Sequence, residues 1–329
     1  MKFNALSPQL RKLWAFCFSI DMFNRTVKRF RSFTFFTIIN VYLVIVAGGV
    51  VRCTGSGMGC PDWPKCFGKW IPPTTIEELP ANYVELYSKG GHLTVEFNVF
   101  KTWTEYINRL LGAFVGIFIF GTPYFSLIYW NTKRQVFYFS LLAFILVGFQ
   151  GWLGAKVVAS NLAPFMVSIH MLVALIIVII LIFVYAIADE KRFAINRINS
   201  LLIVCGILSL VQILIGSQVR QSVDVVAKSF NYLSRELWVE QLGGIFITHR
   251  IFAYIVIIVN SYLVYKLHKS NHILFRNLIL AILFSEICTG FVLTYFEIPS
   301  YIQPIHLTMA TILFGIQFYL LAANNPKSV

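Results

Sequence analysis

Three histidines and one asparagine lie inside long apolar segments of this 329-residue chain: Asn108, His170, His249 and His306. An ionisable group within such a segment is costly to bury and is by default functional. A histidine facing inward from each of two helices is also how a helical bundle holds a haem iron from both sides. These positions therefore predict haem ligation, while hydrogen bonding of each imidazole to a neighbouring helix is the alternative left open.

Two of these positions stand at the start of similar segments. TEYINRLLG at 104–112 and ITHRIFAY at 247–254 both pass from a polar loop into an apolar helix. Each has an arginine directly after the polar position, Arg109 in the first segment and Arg250 in the second. The likeness indicates that one structural unit occurs twice in the chain.

Only the first of the two segments carries a carboxylate. Glu105 precedes Asn108 by three residues, and Phe246 occupies the corresponding place in the second segment. Residues 105, 108 and 109 share one face of a helix, so Glu105 is expected to point into the first site as a proton acceptor or to position a reacting group. A salt bridge between Glu105 and Arg109 fits the same spacing and is left open.

The composition places these residues in a membrane protein. Hydrophobic residues make up 58% of the chain and charged residues 12%, and the mean hydropathy is +0.74. A soluble domain of this length could not bury so much apolar surface. The net charge of +13 lies mostly in short flanks between apolar segments, which is typical of membrane topology and argues against nucleic-acid binding.

Eight apolar segments are long enough to cross a bilayer, so the predicted fold is an all-α integral membrane protein with eight transmembrane helices. A basic cytoplasmic arm, residues 1–32, precedes them. Basic residues concentrate in alternate short loops, which predicts that both termini are cytoplasmic. The predicted spans are 33–51, 106–130, 136–156, 163–187, 199–219, 245–266, 273–295 and 300–323.

Spans one to four and spans five to eight resemble each other position by position. In each set the first span ends in Gly and Arg, the third has a polar residue followed by Gly, and the fourth carries a histidine soon after a proline. Because four is an even number, both copies have the same orientation in the membrane. The sequence predicts two parallel-repeat four-helix bundles, 33–190 and 191–329, with the pairs Arg52 and Arg220, Asn108 and His249, Gln150–Gly151 and Thr289–Gly290, and His170 and His306.

The two predicted bundles differ in the ligands that they offer. The second has a complete pair, His249 and His306, without an acid beside them. Two axial imidazoles saturate an iron, which suits an electron carrier. The first bundle has His170 and the carboxylate Glu105, which predicts a site where a bound group reacts.

Glycines of the first bundle and arginines of both bundles are expected to contribute to haem binding. Small residues would leave space for a flat macrocycle, and arginines near the outer surface would pair with haem propionates. Close helix packing and interfacial snorkelling are the alternatives. The glycines are Gly112, Gly116, Gly148, Gly151 and Gly154, and the arginines are Arg52, Arg109, Arg220 and Arg250.

The outer loop predicted at 53–104 begins with CTGSGMGCPDWPKCFGKWIPP, in which Gly and Pro residues indicate a compact, turn-rich segment. Cys60 and Cys66 lie close together on the oxidising side and could close a small disulfide. Glu286 is a further acid inside the seventh span, with proton conduction or hydrogen bonding between helices as its candidate roles.

Taken together, these motifs resemble the haem A synthase family of respiratory membranes, over residues 35–323. The elements that carry the resemblance are the TGSG…CPDWP…C loop, the E-x-x-[H]-R motif at Glu105, the Q-G-x-L-G step at Gln150–Gly154 and the histidines of spans four, six and eight. The resemblance implies an oxidoreductase that converts haem O to haem A for cytochrome oxidase. In this reaction a ring methyl is oxidised to a formyl group through hydroxylated intermediates.

The resemblance also implies roles for particular residues. His249 and His306 match the ligands of a resident haem b, the iron cofactor, with Arg220 and Arg250 as candidates to bind its propionates. In the first bundle, His170 matches a ligand of the substrate haem O, and Glu105 matches the important acid of the family. The substrate site would further include Asn108, Arg109 and Arg52, and Cys60 and Cys66 match a cysteine pair found in many members.

One position departs from the family pattern. The family usually has histidine where this chain has Asn108, so ligation of the substrate haem from both sides is not implied here. The asparagine could bond to a water on the iron or leave a position open. It could also mark a member with weakened activity.

The resemblance implies the bacterial inner membrane, with the mitochondrial inner membrane as the alternative. Membrane lipid surrounds the chain, haem O synthase and the cytochrome oxidase assembly machinery are candidate partners, and a homo-oligomer stays open. Two other functions also stay open. One is a duplicated b-type cytochrome that transfers electrons without modifying haem, and the other is a transporter built from parallel repeats.

Overall fold

The computed structural model describes residues 8–88, 96–189 and 194–324, with side chains from residue 25 onward. These residues form nine α-helices with short 3-10 turns between some of them, and they contain no β-strand, only isolated bridges such as that between Cys66 and Lys69. In chain order the helices are α1 (Pro8–Cys53), α2 (Tyr83–Ser88), α3 (Val99–Ser126), α4 (Arg134–Ala159), α5 (Pro164–Ile187), α6 (Asn199–Ser229), α7 (Gly243–Lys269), α8 (Ile273–Tyr295) and α9 (Ile302–Ala323).

Eight helices in the described part of the chain are long and apolar enough to cross a membrane, which confirms the predicted number of spans. They are all the helices except the short α2, and the first of these spans is Arg25–Cys53 within α1. Large apolar side chains such as Ile117, Phe165 and Phe284 are exposed on their outer faces. Apolar side chains in such positions suit contact with lipid, so the chain is a multi-pass membrane protein.

Local sequence explains where several helices begin. Asn98 caps α3, because its side-chain Oδ1 accepts a hydrogen bond from the backbone N–H of Lys101 at 3.0 Å. Pro164 occupies the first turn of α5, where its missing N–H has no partner to lose. Asn161 and Leu162 have φ angles of 53° and 59°, and this left-handed pair makes the tight turn from α4 to α5.

Several predicted boundaries differ from those of the structure. Residues 8–32 of the predicted arm are helical, and the same helix, α1, continues without a break into the first span. Helix α3 begins at Val99, inside the loop predicted at 53–104, and α6 continues to Ser229, beyond the predicted end of its span. Hydropathy marks the end of an apolar stretch, whereas the backbone remains helical through polar residues that do not break a helix. Residues 1–7 and the predicted boundary at 190/191 lie outside the described residues.

The spanning helices pack in two groups of four. In the first group each helix contacts the next in the order α1, α3, α4 and α5, and α5 contacts α1 again. In the second group the order is α6, α7, α8 and α9, and α9 contacts α6 again. Helix α9 also packs against α1 and α5. At this junction, a Cβ added to Gly49 would lie 2.9 Å from the side chain of Pro304, and the Tyr42 hydroxyl donates to the carbonyl of Thr311 at 3.2 Å. Side chains of one group can therefore reach a cavity in the other.

Candidate functional site

A cavity of about 470 Å³ lies among α6, α7, α8 and α9. Its wall includes His249 from α7 and His306 from α9, the two histidines that the sequence pairs in the second bundle. Gly49 and Met171 contribute to the wall from the first group of helices. The volume is typical of pockets that hold a small molecule or cofactor.

The two histidines lie at a separation that suits one metal ion. Their ring centroids are 6.4 Å apart, and the ring planes make an angle of 71°. A metal held between two imidazoles separates the ring centres by about 6 Å, because each bond is about 2 Å long and each nitrogen lies about 1 Å from its ring centre. No cluster of three or more His, Cys, Asp or Glu side chains suited to a metal occurs in the described ranges. Because of this spacing, the histidine pair is the candidate ligand set.

The Nδ1 atom of His306 has two oxygen neighbours on α8. The hydroxyl Oγ1 of Thr289 lies 2.8 Å from this nitrogen, and the carboxylate oxygen Oε2 of Glu286 lies 3.1 Å from it. Glu286 therefore contacts a candidate metal ligand. This contact joins α8 to α9. Partners of this kind fix the orientation of an imidazole that binds metal through its other nitrogen.

His249 has different surroundings. The amide Nε2 of Gln212 donates to the backbone carbonyl of His249 at 3.1 Å and lies 3.4 Å from its ring Nε2. The Nδ1 atom of His249 is buried and has no hydrogen-bond partner. Gly216 faces the ring so closely that an added Cβ would lie 3.2 Å from the His249 Cε1 atom. The position of this imidazole thus depends on the absence of a side chain at residue 216.

Three of the four predicted arginines line the cavity: Arg52, Arg220 and Arg250. The sequence groups Arg52 with the first site, whereas the structure places it on the wall of the second. Arg52 and Arg220 both form ion pairs with Asp224. A guanidinium nitrogen of Arg52 lies 3.4 Å from Oδ2 of Asp224. The guanidinium of Arg250 lies over the ring of Phe246, 5.7 Å from its centroid. This cationic layer is suited to carboxylate groups at one edge of the cavity.

In the first group of helices, two predicted site residues have unsatisfied polar atoms. The side-chain Oδ1 of Asn108 and the Nδ1 of His170 are both buried without a hydrogen-bond partner. Gln150 holds α4 to α5 by donating from its Nε2 to the His170 carbonyl at 2.9 Å. Because buried polar groups are nearly always paired, such atoms indicate where a ligand or water binds.

Open space lies beside four glycines in the same group. A Cβ added to Gly112, Gly116, Gly148 or Gly151 would meet no atom within 4 Å. Close helix packing, one of the two interpretations that the sequence left open, is therefore wrong for these four positions. Gly112 and Gly116 follow Asn108 on one face of α3. At Gly154 an added Cβ would lie 3.5 Å from His170 Cε1, an ordinary contact.

Glu105 and Arg109 form the salt bridge that their spacing allows. The Arg109 guanidinium donates to Glu105 Oε1 at 2.5 Å, and the two side chains are only 14% and 5% exposed, respectively. The other carboxylate oxygen, Oε2, accepts a hydrogen bond from the backbone N–H of Cys60 at 2.9 Å. Both oxygens of the predicted catalytic acid are thus engaged, and the acid joins the outer loop to α3.

The outer loop folds around a disulfide between Cys60 and Cys66, as the sequence predicts. Both cysteines are fully buried. Arg109 donates to three backbone carbonyls of this loop, those of Cys60, Asp62 and Lys65, at 2.9, 2.7 and 3.0 Å. Arg109 therefore binds three points of the loop that covers one end of the first group of helices.

Gly59 lies where the loop touches α3 most closely. An added Cβ would clash with the backbone carbonyl oxygen of Lys101, which cannot move aside as a flexible side chain could. We expect Gly59→Ala to lower the thermal unfolding midpoint in detergent, with a destabilisation of about 1–3 kcal/mol as for other overpacked sites. Gly244→Ala is the control, because an added Cβ there meets nothing within 4 Å. Equal midpoints for the two variants would contradict this account of the loop.

Two residues that hold side chains of the cavity wall are not among the predicted site residues, namely Asp224 and Gln212. Asp224 follows Arg220 by one helical turn, and this spacing is a signal for an ion pair within a helix. Gln212 precedes Gly216 by one turn and thus lies on the same face of α6. Neither signal reveals that these side chains interact with Arg52 and His249, because those contacts join different helices.

The protein is of the multi-pass helical membrane class, and its cavity carries two neighbouring imidazoles and a layer of arginines. Within this class, the sequence profile of the cytochrome oxidase assembly protein family matches residues 31–318. The chain belongs to this family.

Several relatives in bacteria have similar sequences over most of their length. The heme A synthase of Exiguobacterium sp. is 24% identical over 302 residues, which cover 89% of this chain and 92% of the relative. The heme A synthase of Rickettsia prowazekii is 25% identical, with 86% and 94% covered. The heme A synthase of Ehrlichia canis is 27% identical, with 86% and 89% covered.

Proposed function

We propose that this chain is a haem A synthase, an oxidoreductase that oxidises a ring methyl of haem O to a formyl group through hydroxylated intermediates. The observation that carries the proposal is the difference between its two groups of helices. One has two imidazoles at the spacing of a saturated iron site, and the other has one imidazole, an asparagine and open space. The names of the bacterial relatives and the family membership support the same activity.

In this proposal, His249 and His306 hold a resident haem b in the second group. The fit rests on the separation of the rings and on the unpartnered Nδ1 of His249. Such a haem supplies one-electron transfer. Arg250, Arg220 and Arg52 would bind its propionates, and the Asp224 carboxylate keeps the latter two guanidinium groups at the cavity edge.

The substrate haem O would bind in the first group, beside His170 and the open glycine face of α3 and α4. His170 offers an imidazole with a free Nδ1, and Gln150 fixes the backbone that carries it. Asn108 is the counterpart of a ligating histidine, but an amide is a much weaker ligand for iron than an imidazole. We therefore assign Asn108 to a hydrogen bond with a water or oxygen species near the substrate, which leaves one side of the substrate accessible.

Glu105 is the proposed catalytic residue of this site. Its carboxylate accepts from Arg109 and from the Cys60 N–H, so its position is fixed by groups of the outer loop. A carboxylate held in this way can accept a proton released as the methyl group is oxidised. The same contacts make Arg109 a residue that positions Glu105 and the loop over the substrate site.

Chromatography of the haems extracted from purified protein tests the activity. We expect protein produced in cells that supply haem O to contain haem b together with hydroxymethyl or formyl haem. Haem b without any modified haem would favour the duplicated b-type cytochrome and reject the enzyme. Protein without a Soret band would favour the transporter.

Gly216 offers a test of the second site. We expect Gly216→Ala to lower the amount of resident haem per protein about tenfold, because a Cβ at 3.2 Å from His249 Cε1 displaces the ring and each ~1.4 kcal/mol of strain costs a factor of ten in binding. Gly290→Ala is the matched control, since its added Cβ would lie 3.7 Å from His306 Cε1, in ordinary contact. Equal haem content in both variants, measured by pyridine haemochrome, would contradict the assignment.

We further propose that the two groups of helices are parallel repeats and that both termini lie in the cytoplasm. The closed contacts within each group and the bias of basic residues support this arrangement. The bacterial relatives favour the bacterial inner membrane over the mitochondrial one. Haem O synthase and the cytochrome oxidase assembly machinery are the partners that this activity requires upstream and downstream.

A further inference from the structure

Glu286 is an acid within a membrane span that the proposed reaction does not use. It lines the cavity from α8, and its Oε2 lies 3.1 Å from Nδ1 of His306. Its other oxygen, Oε1, is buried without a hydrogen-bond partner. A carboxyl group in this environment is costly and calls for a specific role.

Thr289 and Glu286 determine which nitrogen of His306 is left to bind a metal. The hydroxyl oxygen of Thr289 lies 2.7 Å from the carbonyl oxygen of Ser285 and 3.2 Å from that of Glu286. The same hydroxyl oxygen lies 2.8 Å from His306 Nδ1. Because Glu286 Oε2 is the second oxygen neighbour of Nδ1, Nδ1 is the nitrogen that bonds to α8, and Nε2 is the nitrogen left to bind a metal.

The imidazoles of the other two candidate ligands lack such a partner on Nδ1. The Nδ1 atoms of His249 and His170 are both buried and unpaired. In the alignment of the two repeats, Glu286 stands four residues before Gly290, and Val147 stands four residues before the corresponding Gly151. The carboxylate is thus a feature of one ligand in one group of helices.

We propose that Glu286 is a positioning residue for the resident haem, which acts through His306. Glu286 and Thr289 together hold the ring so that Nε2 faces the cavity, and the carboxylate strengthens the imidazole as a donor to iron. A stronger donor stabilises the ferric state relative to the ferrous state and lowers the reduction potential. This inference rests on the proposed function, because it requires a haem bound to His306.

Redox titration of the purified full-length protein with its bound haem tests the inference. In Glu286→Gln, we expect the haem to remain bound and low-spin while its reduction potential shifts to a more positive value. Glu286→Asp keeps the carboxylate, so its reduction potential should lie between those of the wild type and Glu286→Gln. Glu236→Gln is the control, because it removes the same charge from an exposed position between α6 and α7 and should leave the potential unchanged.

Thr289→Val provides a second, independent variant. It removes the hydroxyl and leaves Glu286 as the remaining partner of Nδ1, so we expect a smaller positive shift of the reduction potential. If Glu286→Gln fails to retain haem, the reduction potentials of Glu286→Asp and Thr289→Val test the inference instead, and a positive shift supports it. If the variants that bind haem have the same reduction potential and the same low-spin EPR signal as the wild type, the role of Glu286 is overturned. The proposed function is then left intact. Wild-type protein without haem would instead overturn the proposed function.

Discussion

Replacing His306 or His249 with alanine is expected to abolish binding of the resident haem. The two rings lie 6.4 Å apart across the cavity, and removal of either leaves a gap where an axial ligand stood. We expect at least a tenfold loss of bound haem, because even groups that only hydrogen-bond a metal ligand are worth about 10–100-fold in affinity. The measurement is the ratio of the Soret absorbance to the protein absorbance after purification.

Two further variants make this result interpretable. His268→Ala removes an exposed imidazole near the end of α7, where it interacts with Arg276 at 2.8 Å, and should retain the haem. His306→Gln fills most of the lost volume, so its elution in gel filtration separates a missing ligand from a collapsed fold. Wild-type haem content with an unchanged low-spin spectrum in His306→Ala would refute the proposed ligation.

Glu105→Gln is expected to retain the resident haem and to lose turnover. Glu105 belongs to the first group of helices, away from the histidine pair, and the amide oxygen of Gln can still accept from the Cys60 N–H. The variant lacks the carboxylate, and a positioned acid or base typically contributes about 10²–10⁴-fold to a rate. We therefore expect formation of hydroxymethyl and formyl haem to fall at least tenfold, measured by chromatography of extracted haems.

The alternative is that Glu105 only anchors the outer loop. Losing one partner of a buried ion pair costs roughly 3–5 kcal/mol, so loss of the loop could also reduce activity. Thr102→Val distinguishes the two cases, because Thr102 Oγ1 anchors the same loop by donating to the Gly59 carbonyl at 2.9 Å. An equal loss of product in Thr102→Val would assign the effect to the loop. Full product formation in Glu105→Gln would remove Glu105 from the catalytic site.

The membrane-spanning fold and most candidate residues could be predicted from the amino-acid sequence. Apolar runs of spanning length cannot be accommodated in water, and the structure confirms eight of them. Histidines within such runs are costly, so their residue type alone marked His249 and His306 as candidates. The proximity of Cys60 and Cys66 along the chain also made their disulfide predictable.

Which side chains act together could be seen only once the helices were packed against each other. Arg52 reaches the cavity of the other group, Glu286 contacts His306, and Glu105 is engaged by the outer loop. The helical period predicts which residues share a face of one helix. It does not predict how each helix is rotated and shifted against its neighbours, since that depends on packing between residues far apart in the chain. For this reason the candidate ligands could be found in the sequence, whereas their partners could not.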